Sequence, residues 1–448
     1  MMQKLSSQKS KPLNGTPIIP GDKSISHRSL MLGGLAIGQT KVHGLLEGED
    51  VHRTADAMRA MGADIIRNED GTWHCHGVGI GGLQEPSQTL DMGNSGTSTR
   101  LLMGLVGGHN ITAQFTGDAS LTKRPMGRVI KPLEQMGVSI TAREGGLLPL
   151  TIRGPQDTLP INYTLPVASA QVKSCVLLAG LSAMGKTTVI EKTPTRDHTE
   201  NMLRHFGVRV DVEDTEDGAQ AISVYGQQDL KAATINVPSD PSSAAFIVTA
   251  ALLIDGSHLT CKNILMNDRR NGIFTTLIEM GADITIENKR LEAGEEVADL
   301  TVKGGKTLNG IDVPATRVPS MIDEFPILFV AASCAQGTTT MTGLEELRVK
   351  ESDRLLIMYQ GLKACGVNLE MGEDSLTIHG NGTPPKGAAE IETELDHRIA
   401  MSFLVLGMVA QNTITIDDGA PIKTSFPNFI DLMNDLGADI KPPEIKAA

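Results

Sequence analysis

Six times along the chain an amphipathic stretch ends in a glycine followed by a small or β-branched residue and a short strand-like run. The copies are MGADI (61–65), MGVSI (136–140), FGVRV (206–210), MGADI (280–284), CGVNL (365–369) and LGADI (436–440). Their glycines, at 62, 137, 207, 281, 366 and 437, are 75, 70, 74, 85 and 71 residues apart, a near-constant period that chance does not produce. The stretches before them, among them RTADAMRAM, RVIKPLEQM and FIDLMNDL, carry apolar residues at helical spacing. Each glycine therefore reads as the left-handed residue that closes a helix, with a strand starting just beyond it. A period of this length accommodates two helices and several strands, so the expected unit is a small α/β module used six times.

Between the third and fourth copies, VPSDPSSAAF (237–246) sets two prolines among Ser and Asp and reads as a crossover or hinge, with three modules on each side. By symmetry, the strand-like TPIIP before Gly21 completes the sheet of the later half. A chain of 448 residues exceeds what one core supports, which agrees with two large domains. Only 3% of residues are aromatic, so the cores must be built from aliphatic side chains and the 20 methionines.

The net charge of −13 repels nucleic acid and anionic membrane at long range, so neither is expected as a partner, and an anionic ligand must be held by locally concentrated cations. The first twenty residues lack a secretory apolar run, and the longest apolar stretch, FIVTAALLI (246–254), is too short to span a bilayer. A cytoplasmic protein is expected. The five cysteines are widely spread, without metal-ligand spacing, and read as reduced and buried. In Trp73-His74-Cys75-His76 the two histidines share one face of a strand; no metal is expected there.

Gly180-Leu-Ser-Ala-Met-Gly185-Lys186-Thr187 matches the spacing of a nucleotide-binding phosphate loop. Such a loop must follow a strand and open a helix. Here the helix-like SAQVKSCVLLAGL precedes it and the strand-like TTVIEK follows, so a P-loop NTPase is disfavoured.

The basic clusters are better placed for anions. GDKSISHR (21–28) sets Lys23 and Arg28 at the start of an apolar helix capped by Ser24 or Ser26, where cations oppose the helix dipole unless an anion is bound. DMGNSGTSTR (91–100) has the small, hydroxyl-rich composition of a backbone-amide anion nest. TKRPMGR (122–128), SAQVK (169–173), TRDHTE (195–200), RVKESDR (348–354) and LDHR (395–398) add further cations from both halves. Arginine forks suit carboxylate and phosphate, and a lysine among other cations can also donate a proton. Together they indicate a phosphate-bearing substrate. SMIDEFP (320–326) places Asp323 and Glu324 in an apolar segment, as a buried cap or as a base.

These segments, in this order and spacing, resemble the 5-enolpyruvylshikimate-3-phosphate synthase family over nearly the whole chain, and SAQVK and RDHTE are similar to its class II branch. The resemblance implies two lobes, each of three βαβαββ units in an inside-out α/β barrel, with a site in the cleft. It sets residues 22–240 as the first lobe and 1–21 with 241–448 as the second. It further implies transfer of the enolpyruvyl group of phosphoenolpyruvate to the 5-hydroxyl of shikimate 3-phosphate in chorismate and aromatic amino-acid biosynthesis, by a monomer that uses no metal or organic cofactor. Carried over by motif, Lys23, Ser24, Arg28, Ser169, Gln171, Arg196, Asp323 and Lys350 hold shikimate 3-phosphate, and Lys23, Gly96, Arg124, Arg354 and Arg398 hold phosphoenolpyruvate. Asp323 takes the hydroxyl proton; Glu351, with Lys23, supplies the proton to carbon.

Three departures stand out. The family's Lys-Thr-Phe-Pro appears as Lys423-Thr424-Ser425-Phe426-Pro427, one residue out of step, and its Asn-Pro-Thr-Arg as Asn267-Asp268-Arg269-Arg270. Gly96 stands where glyphosate-tolerant members carry Ala, so inhibition by glyphosate is expected. A sister activity, enolpyruvyl transfer to UDP-N-acetylglucosamine, is disfavoured because Ala119 occupies the place of that enzyme's loop cysteine.

Overall fold

The computed structural model describes residues 3–443. The six repeat glycines all adopt positive φ, from 83° at Gly207 to 124° at Gly437, a region open to glycine because it lacks Cβ. Each follows a helix: Glu49–Ala60, Gly127–Gln135, His198–His205, Gly272–Glu279, Arg354–Ala364 or Phe429–Leu436. Each precedes a strand: Asp64–Arg67, Ser139–Arg143, Val210–Asp214, Asp283–Glu292, Leu369–Met371 or Asp439–Lys441.

Around these turns the chain builds six four-stranded sheets. One repeat shows the pattern. Leu90–Asp91 leads through the helix Gly96–Gly107 to Thr112–Thr116, and the helix Gly127–Gln135 leads on to the hairpin Ser139–Arg143 and Leu147–Arg153. The first two strands pair in parallel, and Leu147–Arg153 pairs antiparallel with both Thr112–Thr116 and Ser139–Arg143. This is the expected βαβαββ module.

The chain separates into two compact units: Gly21–Pro238 with Leu291–Glu295, and the described residues up to Pro20 together with Ser239–Arg290 and those from Glu296 on. Each holds three sheets. The short segment Leu291–Glu295, the tip of the hairpin between Asp283–Glu292 and Glu295–Lys303, groups with the first unit rather than with its own sheet, which the sequence did not suggest. Ahead of Gly21, TPIIP itself forms no strand; Leu5–Gln8 instead pairs antiparallel with Ile414–Ile416 and with Asp439–Lys441, so an earlier stretch of the same segment completes the last sheet. Asn14–Gly15 opens the sheet of His258–Leu265, while Thr234–Asn236 opens that of Gln39–His43.

The first helix of each repeat is buried on nearly all sides. Every residue of Phe325–Cys334 and all but Leu253 of Pro241–Leu253 is buried, as their continuous apolar runs require. The second helices are amphipathic. Small residues let the buried helices approach closely: a Cβ on Gly104 would lie 2.3 Å from the Cys175 carbonyl oxygen of the neighbouring helix. All five cysteines are free and buried. Burial pushes the thiols of Cys75, Cys261, Cys334 and Cys365 up to about 12, which leaves them unreactive at neutral pH.

Candidate active site

In both units the polar clusters lie at helix N-termini, where unpaired backbone N–H groups and the helix dipole favour anions.

In the Gly21–Pro238 unit the helix Lys23–Gly33 is capped by Asp22, whose Oδ1 accepts from the Ile25 N–H at 2.8 Å. The cap is thus Asp22 rather than the expected Ser24 or Ser26. The helix starts earlier, which puts both serines inside it, and Ser26 Oγ instead accepts from the Leu46 N–H at 3.0 Å. Lys23 forms an ion pair with the nearly buried Asp50 at the start of the next helix. Arg28 is buried and donates to Thr199 Oγ1 at 2.7 Å, to Ser174 Oγ at 2.9 Å and to the Ser24 carbonyl at 3.0 Å. Burial pulls its guanidinium down to about 10, with Arg196 adding to the effect and Glu200, Asp22 and Glu295 opposing it.

Ser95 caps the helix that Gly96 opens, accepting from the Ser98 N–H at 3.2 Å. Arg124 Nη2 donates to Asn94 Oδ1 at 3.3 Å just ahead of that helix. Ser169 caps the helix Ala170–Gly180. Gln171, in the first turn, accepts from Arg100 Nη1 at 2.8 Å and donates to Thr97 Oγ1 at 3.1 Å. The loop carrying the half-buried Arg196 is anchored by Lys173, fully buried, which pairs with Glu191 at 2.9 Å and Glu200 at 2.8 Å and donates to the Thr195 carbonyl at 3.3 Å.

In the other unit Asp323 sits in the single turn Ile322–Glu324. Its Oδ1 lies 3.2 Å from both Lys350 Nζ and Arg354 Nη1. Arg354 is 1% exposed and also reaches Glu351 at 2.5 Å and Asp396 at 2.8 Å. Burial works against its charge, but Asp396, Glu351 and Asp323 outweigh that and hold its guanidinium above the ordinary range. In return, burial pushes the Asp396 carboxyl up, and Arg354 overcomes it to hold Asp396 below the usual carboxylate range. Asp396 also caps the helix His397–Gly407, so one side chain fixes both the helix start and Arg354. Arg398 Nη1 donates to the Asp323 carbonyl at 3.1 Å. Lys423 lies exposed in the one-turn segment Ala420–Thr424.

The structure thus gathers Lys23, Ser24, Arg28, Gly96, Arg124, Ser169, Gln171 and Arg196 in one unit and Asp323, Lys350, Glu351, Arg354 and Arg398 in the other. Sequence reasoning missed Asp50 as the partner of Lys23 and Arg100 as the holder of Gln171. Arg100 stands four residues after Gly96, one helical turn on, and that spacing was the available signal.

The phosphate-loop match lies where the helix Ala170–Gly180 ends and the strand Lys186–Glu191 begins, the reverse of the order such a loop needs. His74 and His76 both hydrogen-bond the side-chain nitrogen of Gln39, at 3.2 and 3.1 Å. Among the described residues, Asp197, His198 and Glu295 could together offer three metal ligands, but His198 Nδ1 and Glu295 Oε1 are already joined at 2.8 Å.

The fold is that of the enolpyruvyl transferases. The enolpyruvyl transferase NikO of Streptomyces tendae superposes over 98% of this chain with a TM-score of 0.75 at 16% identity. The chain belongs to the EPSP synthase (3-phosphoshikimate 1-carboxyvinyltransferase) family, whose profile matches residues 7–433. Curated 3-phosphoshikimate 1-carboxyvinyltransferases of Paramagnetospirillum magneticum and Rhodospirillum rubrum are each 57% identical over 440 residues, covering 98% and 97% of this chain and the same shares of theirs. The EPSP synthase structure from Acinetobacter baumannii matches with a TM-score of 0.88 at 46% identity, over 98% of this chain and 100% of that one. Among the described residues no helix is long and apolar enough to cross a membrane.

Proposed function

We propose that the chain transfers the enolpyruvyl group of phosphoenolpyruvate to the 5-hydroxyl of shikimate 3-phosphate, with release of phosphate. The observation that carries this reading is end-to-end similarity, at 57% identity, to relatives named for that activity. Neither a phosphate-loop NTPase nor a UDP-sugar transferase has comparable support.

In this reading Ser24, Arg28, Ser169, Gln171, Arg196, Asp323 and Lys350, with Lys23, take shikimate 3-phosphate. Gly96, Arg124, Arg354 and Arg398, again with Lys23, take phosphoenolpyruvate. The vinyl C3 is protonated by Glu351, with Lys23 as the second donor. The 5-hydroxyl then adds to C2 while Asp323 accepts its proton, giving a tetrahedral adduct. Phosphate leaves as the C3 proton returns to Glu351 and the double bond re-forms. Cations on the departing phosphate stabilise its developing charge. Because Arg354 already bridges Asp323 and Glu351, its first task is to hold the two chemical carboxylates side by side. The reaction calls for no metal or organic cofactor.

Phosphate release from phosphoenolpyruvate tests the reading directly. Release is expected with shikimate 3-phosphate and absent with UDP-N-acetylglucosamine. Release with neither acceptor would overturn the assignment. The same reading takes a cytoplasmic monomer as the working form, and sedimentation as a dimer at assay concentration would correct that part.

A further inference from the structure

Asp323 and Glu324 are adjacent carboxylates with different surroundings. Asp323 meets Lys350 and Arg354, whereas Glu324 is 1% exposed and turns into the same unit. Glu324 accepts from Ser242 Oγ, and its Oε1 lies 3.7 Å from Arg270 Nη1 and 3.6 Å from Arg398 Nη1. Arg270 is itself buried and donates to Ser242 Oγ at 3.0 Å. Arg398 is the partly open member: its side chain is 15% exposed, and its Nη1 is fixed by the Asp323 carbonyl at 3.1 Å as well as by Glu324. The second carboxylate oxygen of Glu324 is buried and accepts no hydrogen bond among the described residues. A buried acid left partly unsatisfied costs stability, so packing alone does not account for this residue.

We propose that Glu324 is a positioning residue for phosphoenolpyruvate: it sets the orientation of the Arg398 guanidinium and, through the Asp323 carbonyl, ties that arginine to the turn carrying Asp323. The proposal rests on the reading of Arg398 as a phosphoenolpyruvate ligand. Electrostatics and positioning predict opposite signs. If Glu324 acted only as a charge, its removal would make the surroundings of Arg398 more positive and tighten binding of the anion. If it positions Arg398, its removal weakens binding.

The test is steady-state kinetics, read as phosphate release with both substrates varied, on Glu324→Gln, Glu324→Asp and Arg398→Lys. Losing one charge-assisted contact corresponds to roughly a 10- to 100-fold change in affinity. Glu324→Gln is therefore expected to raise the KM for phosphoenolpyruvate by that factor while the KM for shikimate 3-phosphate stays within about threefold, well under that range. Glu324→Asp, which keeps the charge but is one methylene shorter, is expected to recover part of the loss, and it serves as the measured variant should Glu324→Gln not fold. A KM for phosphoenolpyruvate that falls or holds steady in both variants, or the same rise for both substrates, overturns the proposal. Arg398→Lys separates the two levels: an unchanged KM for phosphoenolpyruvate there refutes the ligand reading of Arg398 itself, whereas a raised value there with no effect at Glu324 refutes only the positioning role.

Discussion

A methyl added at Gly96 would come within 3.0 Å of Arg100 Nη1 and 3.2 Å of Arg124 Nη1, so it must displace one guanidinium or the other. Gly96→Ala is expected to raise the KM for phosphoenolpyruvate by roughly 3- to 30-fold, the range for a ligand arginine moved by a fraction of an ångström. Glyphosate should inhibit the native chain competitively against phosphoenolpyruvate and lose potency in this variant; a native chain indifferent to high excess would contradict the role of Gly96. Asp323→Asn keeps the shape and removes the base. Its kcat should fall at least ~100-fold with both KM values little changed, and unaltered turnover would remove Asp323 from the chemistry. Two histidines set an acid limit. Burial, with Lys23 and Arg28 adding to it, holds His27 well below its ordinary range, and burial brings His397 down to about 3. Both are neutral in the folded state, while the unfolded chain protonates its histidines near pH 6.5. Their stabilisation is complete above about pH 6.5 and is lost as pH falls below it, at about 1.4 kcal/mol per pH unit for each group while its folded-state ring stays neutral. Urea midpoints at pH 7 and 5.5 should differ accordingly, and His27→Gln should shrink the difference. An equal pH dependence in the variant would rule out His27 as a source.

The helix starts carry most of what the molecule does, and each rests on an identifiable cap. Ser95→Ala removes the acceptor for the Ser98 N–H and should cost ~1 kcal/mol, read as a lower urea midpoint; no shift would mean that the cap contributes nothing. Gly104→Ala should cost more, ~2 to 3 kcal/mol, because the added carbon meets backbone rather than a movable side chain. The ends of the second helices were legible from sequence, since a glycine after an amphipathic run has one dominant meaning. Their partners' beginnings were less so. In GDKSIS an aspartate and two serines compete for one cap within five residues, and only the start of the helix at Lys23 decides for Asp22. The basic motifs were legible as anion binders, but their counterions were not. Asp50 lies 27 residues from Lys23, and Asp396 lies 42 from Arg354, separations over which local pattern carries no information.

At the scale of the molecule, each unit has its own hydrophobic cluster, and Trp73, the only tryptophan, is buried in the cluster of Gly21–Pro238. Its fluorescence therefore reports one unit. Gly104→Ala should lower the Trp73 unfolding midpoint, whereas Gly361→Ala, whose methyl would meet the Phe403 ring at 2.2 Å in the other unit, should leave it in place. Equal shifts would show that the two cores melt as one. The sixfold plan was legible because its glycines repeat. That the segment before Gly21 joins the later unit followed from symmetry, but which residues pair did not, since Asn14–Gly15 and Thr234–Asn236 are too short to carry an alternation, and Leu291–Glu295 joins the other unit with no sequence mark. The strand Leu5–Gln8 also bears on how the protein is made. It lies between two strands synthesised more than 400 residues after it, with Ser6 and Thr415 joined across 409 positions. The unit Gly21–Pro238 is almost contiguous and can close during translation. The other leaves Leu5–Gln8 unpaired until Ile414–Ile416 and Asp439–Lys441 have been made, a non-local pairing of the kind that slows closure.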